Sequence, residues 1–332
     1  MSTKSLKIVV AAIAVLATAV ALIYQAQGPL EQGDNSQKRH AITIAQAGDF
    51  YLYAPIYIAA DKGFFKARGL DVTVVSTGGD EKTWAAVISG SAQFGVADPT
   101  FIAIASQRGQ PGRIVSTIVN GVPFWGITKN PAIKTVHQPS DLRGYTVATF
   151  PSPSTAYALQ RRMFEMGGLA PKIREGAFGT LLSLLEAGQA DIALELEPNV
   201  SQALASSGYR IVYSLSDLYG DYTITGLTTT PAFIQNDRDS VKNVVSAIQD
   251  ALTFLHQNPE DSTKILAKRF PEINRDVAKS ALQRVLAAGI IPKQTIVVES
   301  AWRKALQTRV DAGDVKMPDN IMKYVDNSFA NQ

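Results

Sequence analysis

The sequence contains no cysteine in 332 residues, which excludes disulfides, thiolate nucleophiles, cysteine metal sites and an acylated-cysteine lipoprotein anchor. The redox compartment therefore goes unread. Histidine is scarce. His40, His137 and His256 are the three in the chain, none with a near partner, so a histidine metal site or triad would need pairing across the fold. They read as surface residues. No two glycines stand two positions apart, which removes the dinucleotide fingerprint G-x-G-x-x-G, and a G-K-[ST] phosphate loop is missing too. No serine sits in a G-x-S-x-G elbow, the usual α/β-hydrolase nucleophile. A strong charge of one sign is also lacking. The formal charge is +3, and without Lys4 and Lys7 the chain holds 30 basic against 29 acidic residues, so there is no basic footprint for nucleic acid. These absences favour binding over catalysis and imply no cofactor and no metal.

What is present is globular. Hydrophobic residues are 46% and charged residues 18%, far from a coiled coil, a collagen or a multi-span membrane protein. The length suggests about two domains. One long apolar run stands out at the N-terminus, Ile8 to Tyr24, preceded by Lys4 and Lys7 and free of charge. That pattern is an export signal. Its 17 residues are long for a signal-peptide core and short for a spanning helix. Two readings stay open, a signal cleaved near Ala19 and Ala21 or near Ala26 and Gly28, and an uncleaved membrane anchor. Both put the body in the periplasm or on the extracytoplasmic face of the membrane, because the positive flank stays inside.

From Ala41 onward strands and helices alternate. Ala41 to Ala47 alternates as a strand, Tyr53 to Arg68 reads as helical up to Gly69, and Leu70 to Val75 is again a strand. Helices over Thr83 to Ser89 and Phe101 to Arg108 flank strands at Phe94 to Ala97 and Arg113 to Val119. The grammar restarts with strand Tyr145 to Phe150, helices Thr155 to Met166 and Thr180 to Ala187, and strands Ile192 to Leu196 and Arg210 to Tyr213. Repeated β-α-β implies parallel sheets in two α/β lobes. Two extended segments, Val122 to Thr128 and Tyr222 to Thr230, lie where the chain would cross between lobes, which predicts a two-segment hinge. Val241, Val244, Val245, Ile248, Leu252 and Leu255 then mark the apolar face of a helix over Ser240 to His256. Further helices are predicted over 262–270, 275–288, 300–312 and 319–329, with prolines between them. This helical third is expected to clasp the first lobe. The predicted division is a signal or anchor over 1–28, a linker over 29–40, a first lobe from 41–123 with 225–332, and a second lobe over 124–224.

Several residues are placed to meet a ligand. Asp98, followed by Pro99 and Thr100, opens a helix after a strand, and Ser152-Pro153-Ser154-Thr155 repeats that logic in the second lobe. The Ser154 and Thr155 amides at a positive helix end suit an anionic or carbonyl group, whereas the Asp98 carboxylate accepts N–H donors. Simple helix capping is the competing explanation. Glu195 and Glu197 flank Leu196 at a strand end, on one face by alternation, either as a solvated edge pair or as ligand groups. Asp49, Phe50, Tyr51 and Tyr53 after the first strand, and Phe124 and Trp125 at the first crossing, offer a carboxylate and flat surfaces for stacking. Trp125 reads equally as hinge packing. Trp84 and Trp302 read as core.

The run Pro55-Ile56-Tyr57-Ile58-Ala59-Ala60-Asp61-Lys62-Gly63-Phe64-Phe65, with Gly69-Leu70-Asp71-Val72 after it, resembles the opening of solute-binding proteins for nitrate, sulfonate, taurine and pyrimidine importers. Ile88 to Ala97, Asp141-Leu142-Arg143-Gly144, Leu185 to Ala193 and Glu197-Pro198 are also similar, so the resemblance covers about residues 41–270. It implies a type II periplasmic-binding-protein fold, an α/β architecture whose two lobes, joined by two hinge segments, close on a solute. It further implies a non-enzymatic monomer that delivers a small polar organic solute, such as a sulfonate, an organic acid or a heterocycle, to an ABC permease and its ATPase. Membrane contact would come through that permease or through the uncleaved anchor. Thiamine-pyrimidine synthases resemble the first lobe as well, but they carry a cofactor-linked lysine where this chain has Asp98 and a histidine where it has Ile102. Neither residue here can do that chemistry. The position matching a tryptophan often seen in pyrimidine binders is Ala47. The alternative to transport is a tethered sensor or scaffold with the same fold.

Overall fold

The computed structural model describes residues 39–330, so the apolar N-terminal run lies outside the described residues. Among the described residues no helix is long and apolar enough to cross a membrane.

Ten strands form two five-stranded sheets. The first sheet takes β1 (His40–Gln46), β2 (Leu70–Ser76), β3 (Phe94–Ala97), β4 (Arg113–Asn120) and β10 (Thr223–Thr229), in the order β2-β1-β3-β10-β4. The second takes β5 (Trp125–Thr128), β6 (Val147–Thr149), β7 (Ile173–Glu175), β8 (Ile192–Glu195) and β9 (Arg210–Ser214), in the order β7-β6-β8-β5-β9. The two orders share one plan. In each, four strands point the same way, three of them paired side by side as in Ile44 opposite Phe94 and Val147 opposite Ile192, and one strand lies antiparallel between its neighbours. That strand is β10 in the first sheet and β5 in the second.

The expectation of purely parallel sheets is therefore corrected. Both antiparallel strands are those by which the chain arrives from the other lobe, and apolar alternation in a sequence carries no information about strand direction. Both extended crossing segments become sheet members rather than free connections.

Helices cover the sheets: α1 (Ala54–Asp61), α2 (Asp80–Ile88) and α3 (Thr100–Ser106) with the first, and α4 (Thr155–Met166), α5 (Leu181–Glu186), α6 (Asn199–Ala205) and α7 (Leu215–Tyr219) with the second. The long helix expected after Tyr53 stops at Asp61. Gly63 and Gly69 take left-handed φ values of 73° and 71°, and only a short 3-10 turn, Lys66–Arg68, lies between them. The C-terminal third is helical as expected: α8 (Pro231–Asn236), α9 (Arg238–Gln257), α10 (Pro259–Arg269), α11 (Arg275–Ala287) and α12 (Glu299–Asp311). The periodic face of α9, from Val241 to Leu255, is fully buried and packs on α1. Each such buried aliphatic side chain contributes about 1.5–3 kcal/mol. Trp84 and Trp302 are core residues, and the Trp302 indole donates to the Ile321 carbonyl at 3.0 Å.

The helix predicted over 319–329 is not formed. Two 3-10 turns, Ile321–Tyr324 and Asn327–Phe329, stand there instead, because Val325 between them is extended and bridges Ile114 beside β4. The Asp326 amide then donates to the Ile114 carbonyl at 2.9 Å. Tertiary pairing overrides local helical preference at this point.

Close packing makes one glycine diagnostic. Gly126 of β5 lies opposite Tyr213 of β9, and a Cβ on it would fall 2.1 Å from the tyrosine ring. That ring is fixed by a 2.8 Å hydrogen bond from its hydroxyl to Gln160 Oε1. Gly126→Ala is expected to cost ~1–3 kcal/mol through overpacking, read as a lower urea midpoint. An unchanged midpoint would show that the second sheet tolerates displacement of Tyr213.

Candidate functional site

A cavity of about 360 Å³ opens between the two lobes. This is within the size range of small-molecule sites. Its position follows from the sheets, since the loops after β1, β3, β6, β7 and β8 all reach it. Such strand ends are where open α/β sheets bind ligands.

Five aromatic rings stand in the wall. Phe50 and Tyr53 come from the loop after β1, Phe124 from the first crossing, Phe150 from the end of β6 and Phe178 from the loop after β7. They pack edge to face or tilted. Phe50 lies 5.5 Å from Tyr53 and 5.4 Å from Phe178, while Phe150 lies 5.9 Å from Phe178 and 6.2 Å from Phe124. Phe178 is 49% exposed, so it stands at the rim. Leu52, Leu196 and Ile224 complete the apolar surface.

The polar groups are few and of one sign. Asp80, Asp98, Ser154, Thr155 and Thr225 line the cavity, and among the described residues no lysine, arginine or histidine does. Asp98 is saturated. Its Oδ1 accepts from the Thr100 amide at 2.8 Å and hydroxyl at 2.6 Å, and its Oδ2 accepts from the Thr155 hydroxyl and from Arg309 Nη2 at 2.9 Å. Four donors fill the acceptor capacity of a carboxylate. Arg309, 2% exposed, comes from α12 and ties both lobes together. Its Nη1 donates to the Pro153 carbonyl at 3.0 Å, its Nη2 to Thr155 Oγ1 at 3.1 Å, and its Nε to Thr100 Oγ1 at 3.1 Å. Burial works against this charge, but the Asp98 carboxylate outweighs it and leaves the guanidinium pKa raised.

Asp80 differs from Asp98. Its Oδ1 accepts from the Asp98 amide at 2.9 Å, and among the described residues its Oδ2 has no hydrogen-bond partner. Burial first, and the neighbouring Asp98 charge second, push the Asp80 carboxyl up to about 6.

The start of α4 offers weaker anion binding than the sequence suggests. Ser154 caps it, its hydroxyl accepting from the Tyr157 amide at 3.2 Å, which leaves the Thr155 and Ala156 amides without intrahelical partners. The Thr155 side chain, however, is turned onto the Asp98 carboxylate, so negative charge already sits at this helix end. Ser152 is exposed and outside the cavity, with its amide on Glu175 Oε2 at 3.0 Å.

Other residues expected at the ligand lie elsewhere. Asp49 is on the surface, accepting from Gln46 at 2.6 Å and Arg269 at 2.5 Å. Tyr51 is buried away from the cavity, its hydroxyl on the Ala278 carbonyl at 2.6 Å, and Trp125 is buried within β5. Thr100 belongs to the Asp98 and Arg309 network. Glu195 and Glu197 are fully buried, and it is Leu196 between them that faces the cavity. Glu197 binds Arg284 of α11 at 2.6 Å and the Ser201 amide and hydroxyl at 3.0 and 2.9 Å. Glu195 accepts from Asn199 at 3.1 Å, and burial pushes its carboxyl up to about 7. The peptide bonds Ser152-Pro153 and Glu197-Pro198 are both cis.

Sequence reading missed Asp80, Phe150, Phe178, Thr225, Arg284 and Arg309. Asp80 after Gly78-Gly79, Phe150 before Pro151 and Phe178 between Gly176 and Gly179 carried local loop signals. Among the described residues no group of histidine, aspartate and glutamate side chains is arranged to hold a metal.

Two α/β lobes with an aromatic-walled cavity between them are the architecture of the periplasmic-binding-protein fold. The solved structures agree on the fold. The aliphatic sulphonate-binding protein SsuA of Escherichia coli matches with a TM-score of 0.69 at 20% identity, over 86% of this chain and 91% of that one. The nitrate-binding protein NrtA of Synechocystis matches at 0.68 and 16% identity, over 88% and 87%. The riboflavin-binding protein RibY of Chloroflexus aurantiacus is 24% identical over 72% of this chain and 68% of its own length. The chain belongs to the NMT1/THI5 like family, which matches residues 52–262. The expected type II periplasmic-binding-protein fold is thus observed.

Two outcomes test the site's electrostatics. Arg309→Met leaves the Asp98 carboxylate buried and unpaired, so it is expected to cost about 3–5 kcal/mol in urea unfolding. Arg309→Met with Asp98→Asn should recover part of that loss. Equal losses would show that the ion pair contributes little. For Glu195, the folded pKa near 7 lies above the unfolded value, so the folded state holds a proton that the unfolded state gives up. Its contribution to stability is full below about pH 4 and falls as pH rises toward 7. Relative to Glu195→Gln, the parent should lose on the order of 2 kcal/mol between pH 5 and pH 7.5. Parallel pH curves would contradict this.

Proposed function

We propose that this chain is the extracytoplasmic solute-binding component of an ABC importer, and that it takes a planar aromatic or heterocyclic solute without net negative charge. The observation that carries this reading is the cavity wall, in which five aromatic rings surround two carboxyl groups and no free cation. Flat rings gain about 0.5–1.5 kcal/mol per aromatic contact beyond area burial. An anion would meet the Asp80 carboxyl with no ammonium or guanidinium available, since Arg309 is engaged with Asp98, Thr100 and Pro153. A bare oxyanion or an alkyl sulfonate is therefore a poor fit.

The relatives support the class. SsuA and NrtA are named for anions and RibY for a large flat ring system, and an aromatic wall suits the last kind of solute. Export is supported by Lys4, Lys7 and the apolar run after them. Solute bound between the lobes favours the closed arrangement in proportion to its greater affinity for it, and the closed form would be what the permease recognises. Binding rather than catalysis is supported by the absence of nucleophile motifs and by Asp98 and Ile102 at the positions where synthase relatives carry chemistry.

Thermal melting against riboflavin, pyrimidines, aliphatic sulfonates, taurine and nitrate tests the reading. A planar ring compound at a hundredfold over its Kd should stabilise by about 2.7 kcal/mol, a clear rise in Tm, with no rise for nitrate or alkyl sulfonates. A rise confined to those anions would overturn it.

A further inference from the structure

Asp80 is a cavity carboxyl with one oxygen not already used among the described residues. It opens α2, where the positive helix end favours a carboxylate, and its Oδ1 supports the Asp98 amide at 2.9 Å. Asp80 lines the cavity, and its Oδ2 has no hydrogen-bond partner among the described residues. Asp98 beside it has no capacity left, with Thr100, Thr155 and Arg309 on its two oxygens. Around them are Phe50, Tyr53 and Phe124, which bring ring faces and no competing cation. A solute that filled this space without offering a donor would leave Oδ2 desolvated and unpaired, which costs affinity. A solute with an N–H on the edge of a flat ring removes that cost.

We propose that Asp80 is the specificity-determining residue of the cavity, and that it selects planar aromatic solutes carrying an N–H donor edge, amidine-like or amino-substituted, over carboxylates and sulfonates of the same shape. This rests on the aromatic-solute reading above and adds the head group to it. The selection arises from pairing with Oδ2 on one side and from charge repulsion on the other, so both attraction and rejection come from one side chain. The charge on Asp80 is set by groups that face it from several elements. Asp98 and Glu81 oppose it, while Arg309 and the Asp98 amide support it, and the Tyr53 hydroxyl stands close. Because the carboxyl titrates near pH 6, a cationic solute should bind more weakly as pH falls and Asp80 takes up a proton.

The test is calorimetric titration of the purified full chain with naphthalene-2-carboxamidine, naphthalene-2-carboxamide, naphthalene-2-carboxylate and naphthalene-2-sulfonate, which share a ring system and differ in head group. At pH 7.5 the amidine should bind at least tenfold more tightly than the carboxylate or the sulfonate. Asp80→Asn keeps an oxygen for the Asp98 amide while losing the charge, and it should shrink that ratio to within threefold. On the unmodified chain the amidine should weaken about tenfold between pH 7.5 and pH 5, as expected for binding to the ionised form of a group titrating near 6. Tightest binding of the carboxylate or sulfonate, or a ratio that survives Asp80→Asn, would overturn the assignment and leave the aromatic-solute reading standing. Failure of all four compounds, the neutral carboxamide included, would instead overturn the aromatic-solute reading and this inference with it.

Discussion

The structure depends on one buried charge pair. Arg309 and Asp98, 2% and 7% exposed, meet at 2.9 Å beneath the cavity, and the same guanidinium reaches the Pro153 carbonyl and the Thr155 hydroxyl of the second lobe. Three parts of the chain far apart in sequence, the turn after β3, the start of α4 and the last long helix, converge there. A charge pair removed from water is retained at little or no gain in stability relative to an apolar substitute. Its value lies in geometry. It sets how the α4 end faces the first lobe, and it consumes the charge of Asp98 and of Arg309 together.

That consumption determines the character of the cavity. With Asp98 neutralised and fully hydrogen-bonded, the remaining wall is largely apolar, and among the described residues the carboxyl of Asp80 keeps one oxygen without a hydrogen-bond partner. A second arginine acts in the same way on the other side of the second lobe. Arg284 of α11 binds the buried Glu197 at 2.6 Å, so the C-terminal helices hold both proline-containing loops that follow β6 and β8. The helical third is therefore more than a cover for the first sheet. It links the fold of the first lobe to the placement of the second lobe's loops.

Much of the fold was legible because it rests on local periodicity. The stripe from Val241 to Leu255 had to be a buried helix face, and the short apolar run Phe94 to Ala97 before Asp98 had to be an interior strand. Strand direction was not legible, because β5 and β10 alternate like any other strand and are antiparallel only because of where the chain comes from. At the site, Phe50, Phe124, Asp98, Ser154 and Thr155 were found as loop and cap residues and do line the cavity. Their partners were not. Arg309 looks in sequence like a last-turn basic residue of an ordinary helix, and nothing local shows that it reaches Asp98 more than two hundred positions earlier. Glu195 and Glu197 show the reverse. Alternation puts them on one face, and their carboxylates meet Asn199, Ser201 and Arg284 of α11, leaving Leu196 to the cavity.

The most direct test of the account is a crystal structure of the chain grown with the planar aromatic solute that raises its Tm most. The account predicts the ring among Phe50, Phe124, Phe150 and Phe178, with a donor edge toward Asp80 and the contact between Arg309 and Asp98 intact. A solute seated elsewhere, or held through an anionic group on the Thr155 and Ala156 amides with Asp80 turned away, would contradict it.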